Sequence, residues 1–273
     1  MDAFLQNNLA YPQVGFSYTL DVKVKTLANT IAICDNCRVV IAFTLPVYMS
    51  PTSEPVKLPR VTVHKFDAST RVNFVTTLFN VTEAMVAQLE LMKSLHERDE
   101  NIRWIITEYV NDRNPLPASH VTEGAPFPVI HEAIQGEFSR VEGLNAGADL
   151  VENNEEIVFF LDADMYFPTS FAEAIRNRVW KGEQMFFPVC YSFAGNGVPP
   201  ETKNGVYRES GLGNGGMYKA DFLQNRWYKN DGLASWGNED YNMFHKLRVN
   251  YTVYRTYEPF FFHLYHDKRS WKS

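Results

Sequence analysis

Residues 155–164 read Glu-Glu-Ile-Val-Phe-Phe-Leu-Asp-Ala-Asp. The apolar run at its centre is too short to span a membrane. It is β-branched and aromatic, with charge at both ends, which is the pattern of a strand buried inside a sheet. The run stops at two carboxylates separated by one alanine, so the strand delivers Asp162 and Asp164 to the rim of that sheet. In open α/β sheets the rim is where ligands sit. Two crowded carboxylates repel each other, and a divalent cation removes the repulsion; hard cations such as Mn2+ or Mg2+ prefer oxygen ligands. A cation held by few protein ligands keeps positions for phosphate oxygens. The feature therefore points to a metal-bridged diphosphate of the kind a nucleotide-sugar carries. The competing reading is that Asp-x-Asp arises by chance and its carboxylates cap the next helix.

The pattern around this run is alternating. Val72–Leu78 reads as a first strand, followed by a helix with Val86, Leu89, Met92 and Leu95 on one face and Thr82 as N-cap. Arg103–Tyr109 reads as a second strand and Val129-Ile130 as a weaker one. A helix over Phe138–Leu150 feeds the strand that ends at Asp162. A helix over Phe171–Arg178 and a strand over Met185–Val189 follow. Such alternation predicts an α/β fold, a mostly parallel sheet with helices on both faces, over residues 67–273. Residues 1–66 differ. Tyr18–Lys25 alternates apolar and polar residues, Val39–Phe43 reads as a second strand, and Pro46, Pro51, Pro55 and Pro59 then break the pattern. This part reads as a small β-rich N-terminal extension with a proline-punctuated linker.

Hydrophobic residues make up 45% of the chain, ample for a sizeable core. The formal charge of -6 argues against nucleic acid as a partner. No segment is long and apolar enough to cross a bilayer, and the N-terminus has neither the basic nor the apolar region of a signal peptide. As written, the chain reads as soluble and cytoplasmic. Asn80-Val81-Thr82 and Asn250-Tyr251-Thr252 match the glycosylation sequon. Cys34 and Cys37 have metal or redox spacing, but no second pair exists to complete a structural zinc site. A tight turn suits them, and a strand-linking disulfide stays open. The glycine-rich segment Gly211-Leu212-Gly213-Asn214-Gly215-Gly216 follows no first βαβ strand, so it is not a dinucleotide fingerprint. Glycines there let backbone approach a ligand closely.

Four segments line up along the chain: Phe138-Ser139-Arg140 with Leu144-Asn145-Ala146-Gly147; Asp162-Ala163-Asp164; Trp236-Gly237-Asn238-Glu239-Asp240; and His263-Leu264-Tyr265-His266-Asp267-Lys268-Arg269. In this order they resemble the β-1,4-galactosyltransferase and chondroitin N-acetylgalactosaminyltransferase families over roughly residues 71–269. The resemblance implies a GT-A fold and an inverting, metal-dependent sugar transfer. It makes Asp240 the base that deprotonates the acceptor hydroxyl and Glu239 its neighbour on the acceptor, with Trp236 stacking on a sugar face or on the donor. Asp164 becomes the direct metal ligand, with His266, and His263 as a second candidate. Asp162 is left to the ribose or an outer water. Arg140, Thr77, Phe79 and Gly215 fall to the nucleotide-sugar, and Lys268 and Arg269 screen its diphosphate or are simply solvated. Plainer readings stand beside these. Glu239 and Asp240 also suit the start of a helix running through Tyr241, Phe244 and Leu247. Either histidine could be a satisfied core residue, Arg140 a surface arginine, and Trp236 a packing residue. Asn238 departs from the galactosyltransferase pattern, which has glycine there, and the families' membrane anchor and stem are not seen.

The expected partners are a UDP-sugar donor and a glycan or glycoconjugate acceptor, the transferred unit being a hexose, an N-acetylhexosamine or xylose. Two rivals remain. One is a non-catalytic GT-A relative that binds glycans or a partner subunit. The other is a glycoside hydrolase using a carboxylate pair without nucleotide.

Overall fold

The computed structural model describes residues 67–81, 83–110, 117–195, 204–226 and 239–265, together with the backbone of residues 16–19 and 40–43. The chain divides into two units, Met1–Asp67 and Ala68–Ser273. In the first, β1 (Phe16–Thr19) pairs antiparallel with β2 (Val40–Phe43), Phe16 opposite Phe43 and Thr19 opposite Val40. The sequence pattern put the first strand at 18–25; its ladder begins two residues earlier. Residues 20–25, Cys34, Cys37 and the four prolines lie outside the described residues, as do Thr82, Trp236, His266, Lys268 and Arg269.

The second unit runs β3 (Val72–Leu78), α1 (Glu83–Arg98), β4 (Ile102–Tyr109), α2 (Ala118–Val121), β5 (Val129–Ile134), α3 (Arg140–Asp149), β6 (Ile157–Phe160), β7 (Met165–Tyr166), α4 (Phe171–Arg178), β8 (Gln184–Phe186), β9 (Val189–Phe193), β10 (Gly205–Tyr207), β11 (Gly215–Tyr218), α5 (Lys219–Gln224), α6 (Glu239–Leu247), β12 (Thr252–Tyr254) and β13 (Tyr257–His263). The large sheet has the order β12-β8-β11-β6-β3-β4-β5. Strands β6, β3, β4 and β5 are parallel, and β11 is antiparallel to both its neighbours. Successive side chains feed opposite faces. Phe74, Trp104, Ile106 and Phe159 pack against α1 and α4, whereas Val75, Ile105, Val158 and Phe160 pack against α3 and α6. Burial on both faces is why these strands read as continuous apolar runs.

Two expectations need correction. Val86 is exposed, and the buried stripe of α1 is Met85, Gln88, Leu89, Met92 and Leu95. Leu89, Met92 and Leu95 fit either phase of the helix, and Met85 decides it. Gln88 broke the apolar pattern but is buried because its amide donates to the Asp162 carbonyl at 2.9 Å. The single strand expected over Met185–Val189 is two strands in two sheets: β8 belongs to the large sheet, β9 to a small one of order β10-β9-β13-β7. Pro188, which has no N–H to continue a ladder, sits at the change.

Helix α3 lies unusually close to the sheet. A Cβ on Gly143 would fall 2.3 Å from Thr77 Cγ2, and one on Gly147 2.5 Å from Val75 Cγ1. This glycine pair, one turn apart on the same face, lets the helix settle on β3 and β4. Ser139 caps α3, its hydroxyl accepting from Glu142 N at 3.3 Å. The close seat brings Arg140, the first helical residue, over the carboxyl ends of the parallel strands. No helix among the described residues is long and apolar enough to cross a membrane.

Candidate active site at the carboxyl edge of the sheet

The two aspartates that follow β6 have different surroundings. Asp162 is clamped by protein on both carboxylate oxygens. Arg140 donates to its Oδ1 from Nη2 at 2.8 Å and Nε at 3.2 Å, and Asn214 Nδ2 donates to Oδ2 at 3.0 Å. Asp162 N donates in turn to Asn214 Oδ1 at 2.8 Å. Asp164 faces the other way. Its Oδ2 stands 3.2 Å from His263 Nε2. The last rung of the antiparallel β7–β13 ladder, Met165 opposite His263, fixes this spacing, and Leu264 N donates to the Asp164 carbonyl at 2.9 Å. His263 Nδ1 lies 3.2 Å from Ser192 Oγ, which holds the plane of the ring.

Arg140 is the hub. Its Nη2 also donates to the Gly213 carbonyl at 2.7 Å, and its Nη1 lies 3.9 Å from Glu239 Oε1. Burial works to lower the guanidinium pKa, yet Asp162, Glu239 and Asp240 together raise it above its ordinary value. Glu239 and Asp240, the first two residues of α6, thus act on the same guanidinium that clamps Asp162. Asp240 Oδ1 accepts from Tyr241 N at 2.7 Å. Both residues do begin a helix, as the plainer reading held, and the mount also brings Glu239 beside Arg140.

Thr77, at the end of β3, has its hydroxyl 2.9 Å from Thr107 Oγ1, under the first turn of α3. Phe79 meets Phe138 edge-on at 5.7 Å, and Phe138 meets Tyr109 at 5.2 Å. Tyr109 OH donates to the Ser139 carbonyl at 3.0 Å. These rings form an aromatic wall beside the start of α3. Gly215 has a packing reason of its own: a Cβ there would fall 2.5 Å from the Phe187 ring. Within the glycine-rich segment it is Gly213 and Asn214 that touch Arg140 and Asp162.

Sequence reasoning passed over Asn214, Gln88, Ser192 and Arg255. Asn214 could have been found, because it is the sole polar side chain in the glycine-rich segment. Gln88 carried a weaker signal as an amide inside an apolar stripe. Ser192 and Arg255 carried none.

Among the described residues no group of three His, Cys, Asp or Glu side chains converges as a metal cage. The pair Asp164 and His263 nonetheless fits part of a coordination sphere. Two ligands at right angles on a cation, each bonded at about 2.1 Å, stand about 3 Å apart. The observed 3.2 Å is close to that spacing, and one oxygen with one nitrogen donor suits Mn2+ somewhat better than Mg2+.

The architecture defines the class. Among solved structures the chain is similar to Staphylococcus aureus TarS 1–349, with a TM-score of 0.53, 14% identity, and coverage of 71% of this chain and 60% of that one. The same protein in complex with UDP-GlcNAc gives a TM-score of 0.50 at 15% identity, covering 72% of this chain and 59% of that one. The mannosyltransferase PcManGT from Pyrobaculum calidifontis, solved with GDP-Man and Mn2+, gives 0.54 at 12% identity, covering 76% and 62%. The fold is GT-A. More specifically, residues 10–272 match the family described as chondroitin N-acetylgalactosaminyltransferase, and the chain belongs to that family. The match begins well before residue 71 and takes in most of the N-terminal stretch for which the sequence motifs offered no resemblance. Human chondroitin sulfate N-acetylgalactosaminyltransferase 2 is 33% identical over 153 residues, 50% of this chain and 28% of that protein. The aligned part thus spans little more than a quarter of that relative's length.

Proposed function

We propose that this chain carries the catalytic site of an inverting, metal-dependent glycosyltransferase that moves a sugar from a UDP-sugar to a hydroxyl of a glycan acceptor. The family name directs the choice of donor to UDP-N-acetylgalactosamine. The observation that carries the reading is the division of labour between Asp162, locked by Arg140 and Asn214, and Asp164, turned to His263.

Asp164 and His263 would hold a divalent cation, joined by His266 in our reading. Bound there, such a cation supplies Lewis-acid charge to the departing diphosphate. The chain's own residues do the rest. Phe79 and Phe138, partly exposed and backed by the buried Tyr109, offer apolar ring surface for the uracil, and Thr77 lies near the end of β3. Arg140 holds Asp162 in one orientation, so that its carboxylate can serve the ribose without colliding with the charge of Asp164. Asp240 takes the proton from the acceptor hydroxyl as that oxygen attacks the anomeric carbon from the face opposite the leaving diphosphate, which inverts the centre. Glu239 orients acceptor hydroxyls beside it. Trp236 provides a stacking face for the acceptor sugar.

The test is a nucleotide-sugar panel with Mn2+, reading UDP release and product linkage with and without EDTA. Release from UDP-N-acetylgalactosamine that stops with EDTA and yields a β-linked product supports the proposal. Glycan binding without transfer from any donor would place the chain among non-catalytic relatives instead.

A further inference from the structure

Arg255 lies between β12 and β13, outside every motif read from the sequence. Its Nη2 donates to two backbone carbonyls of the loop after β10, Glu209 at 2.7 Å and Gly211 at 3.0 Å. Its guanidinium lies 5.7 Å from the centre of the Phe244 ring, on α6. Phe244 in turn meets Phe187 edge-on at 6.2 Å. One side chain thus touches two pieces that are distant in sequence and that each carry part of the candidate site. The loop continues through Gly213 and Asn214, which hold Arg140 and Asp162. The helix begins with Glu239 and Asp240. Burial lowers the Arg255 pKa, against the pull of Cys190, Glu209 and Asp240, so Asp240 acts on Arg255 as it does on Arg140. Nη1 is buried with no hydrogen-bond acceptor among the described residues. A guanidinium kept there with a nitrogen unsatisfied is costly for the fold alone.

We propose that Arg255 is a positioning residue that sets the spacing between the loop at 209–214 and helix α6, and through it the distance from Asp240 to the Asp162–Asp164 turn. The guanidinium suits that bridging role, because Nη2 serves both carbonyls while the central carbon stays 5.7 Å from the Phe244 ring centre, and a lysine's single ammonium cannot occupy both places at once. The inference rests on the proposed function for its catalytic meaning, but the mechanical link stands on the contacts alone.

Two measurements on the full chain test it, using Arg255→Met and Arg255→Lys. In hydrogen exchange, Arg255→Met is expected to speed amide exchange about tenfold or more in residues 209–216 and 239–247 together, with β3 and β4 unchanged. In transfer from UDP-N-acetylgalactosamine with Mn2+, both variants are expected to lower kcat by about 10- to 100-fold while the donor KM moves less than about threefold. The lysine variant, which keeps the charge and folds more readily, should not rescue kcat. Full kcat in Arg255→Lys, loosening of only one of the two segments, or a lower Tm with unchanged kcat for the folded enzyme would each overturn the proposal. If the parent chain transfers from no donor, the functional reading fails on its own. The exchange result then still decides whether Arg255 joins the two segments.

Discussion

Arg140 binds Asp162 through two nitrogens and places its third 3.9 Å from Glu239, so one guanidinium serves carboxylates from two separate parts of the chain. Its side chain is only 14% exposed, whereas that of Asp162 is 35% exposed. Removing the arginine therefore leaves partly buried negative charge without its cation, with Asn214 still bonded to Asp162.

Arg140→Met should lower stability by on the order of 2 kcal/mol, because charge-assisted hydrogen bonds to Asp162 are lost and water screens that carboxylate only in part. Arg140→Lys should recover less than half of the loss, since one ammonium cannot reproduce two directed bonds and the third to Gly213. Urea unfolding midpoints measure both. Equal stability of parent and lysine variant would mean that charge alone holds the site.

Gly143→Ala sets two effects against each other. Alanine inside a helix is favoured over glycine by about 1 kcal/mol. Here the new Cβ would meet Thr77 Cγ2 at 2.3 Å and Thr107 Oγ1 at 3.1 Å. Overpacking costs about 1–3 kcal/mol and should win, lifting α3 from the sheet. Thr77→Ser, which removes the Cγ2, should restore part of the loss in the double variant. A stabilised Gly143→Ala would show that the helix has room to spare.

The large sheet was legible in the sequence because burial on both faces leaves long apolar runs with little ambiguity. The runs at 72–78, 103–109 and 157–160 all became strands. The small sheet was not legible. Its strands are short, its pairings join β7 with β13 and β9 with β13, and Pro188, the one mark of the break, sits inside a run that otherwise reads as a single strand. The carboxylates were visible as a pattern, but what distinguishes Asp162 from Asp164 was not. That difference comes from Asn214 and His263, 52 and 99 positions away from their partners, and local spacing says nothing about contacts at such range. Val86 failed for a different reason: Leu89, Met92 and Leu95 fit two phases of a helix, and only packing selects one.

Cys190 is buried, and the charges of Asp162 and Asp164 reach it. Burial pushes its thiol up from 9.0 to about 11, with Asp162 and Asp164 adding to the effect and Arg208 opposing it. Between these values the folded protein keeps a proton that the unfolded chain has released. The contribution to stability is whole below pH 9 and is lost as pH rises through 11. The loss amounts to about 2–3 kcal/mol, and Cys190→Ala should flatten this part of the pH profile. A thiol reagent at pH 8 should leave folded Cys190 unlabelled, which peptide mapping by mass spectrometry reads directly. Rapid labelling would place the thiol at the surface.

The Asp164–His263 pair predicts a separation between metal response and turn structure. Mn2+ at about 100 times its Kd should stabilise the parent by about 2.7 kcal/mol. Asp164→Ala should abolish that response and turnover together, and His263→Ala should weaken both. Asp162→Asn should keep most of the Mn2+ response while lowering the melting temperature, because its carboxylate is occupied by Arg140 and Asn214. Thermal shift titrations with Mn2+ and Mg2+ compare the three variants. If Asp162→Asn lost the metal response and Asp164→Ala kept it, the assignments of the two aspartates would have to be exchanged.

Asp240 lies at the start of α6, near enough to Arg140 and Arg255 for its charge to act on both. Asp240→Asn preserves shape and leaves the Arg140–Asp162 clamp intact, so UDP-sugar affinity and the Mn2+ response should stay within about twofold of the parent. Transfer should fall by about 100- to 10,000-fold, the range expected for loss of a general base. Glu239→Gln differs in kind. It removes the negative partner 3.9 Å from Arg140 but no base, so its main effect should be on acceptor KM. Initial rates measured over acceptor concentration at saturating donor separate the two outcomes. An Asp240→Asn enzyme with near-normal kcat would move the proton-accepting role to another group, and Glu239 would be the first to examine.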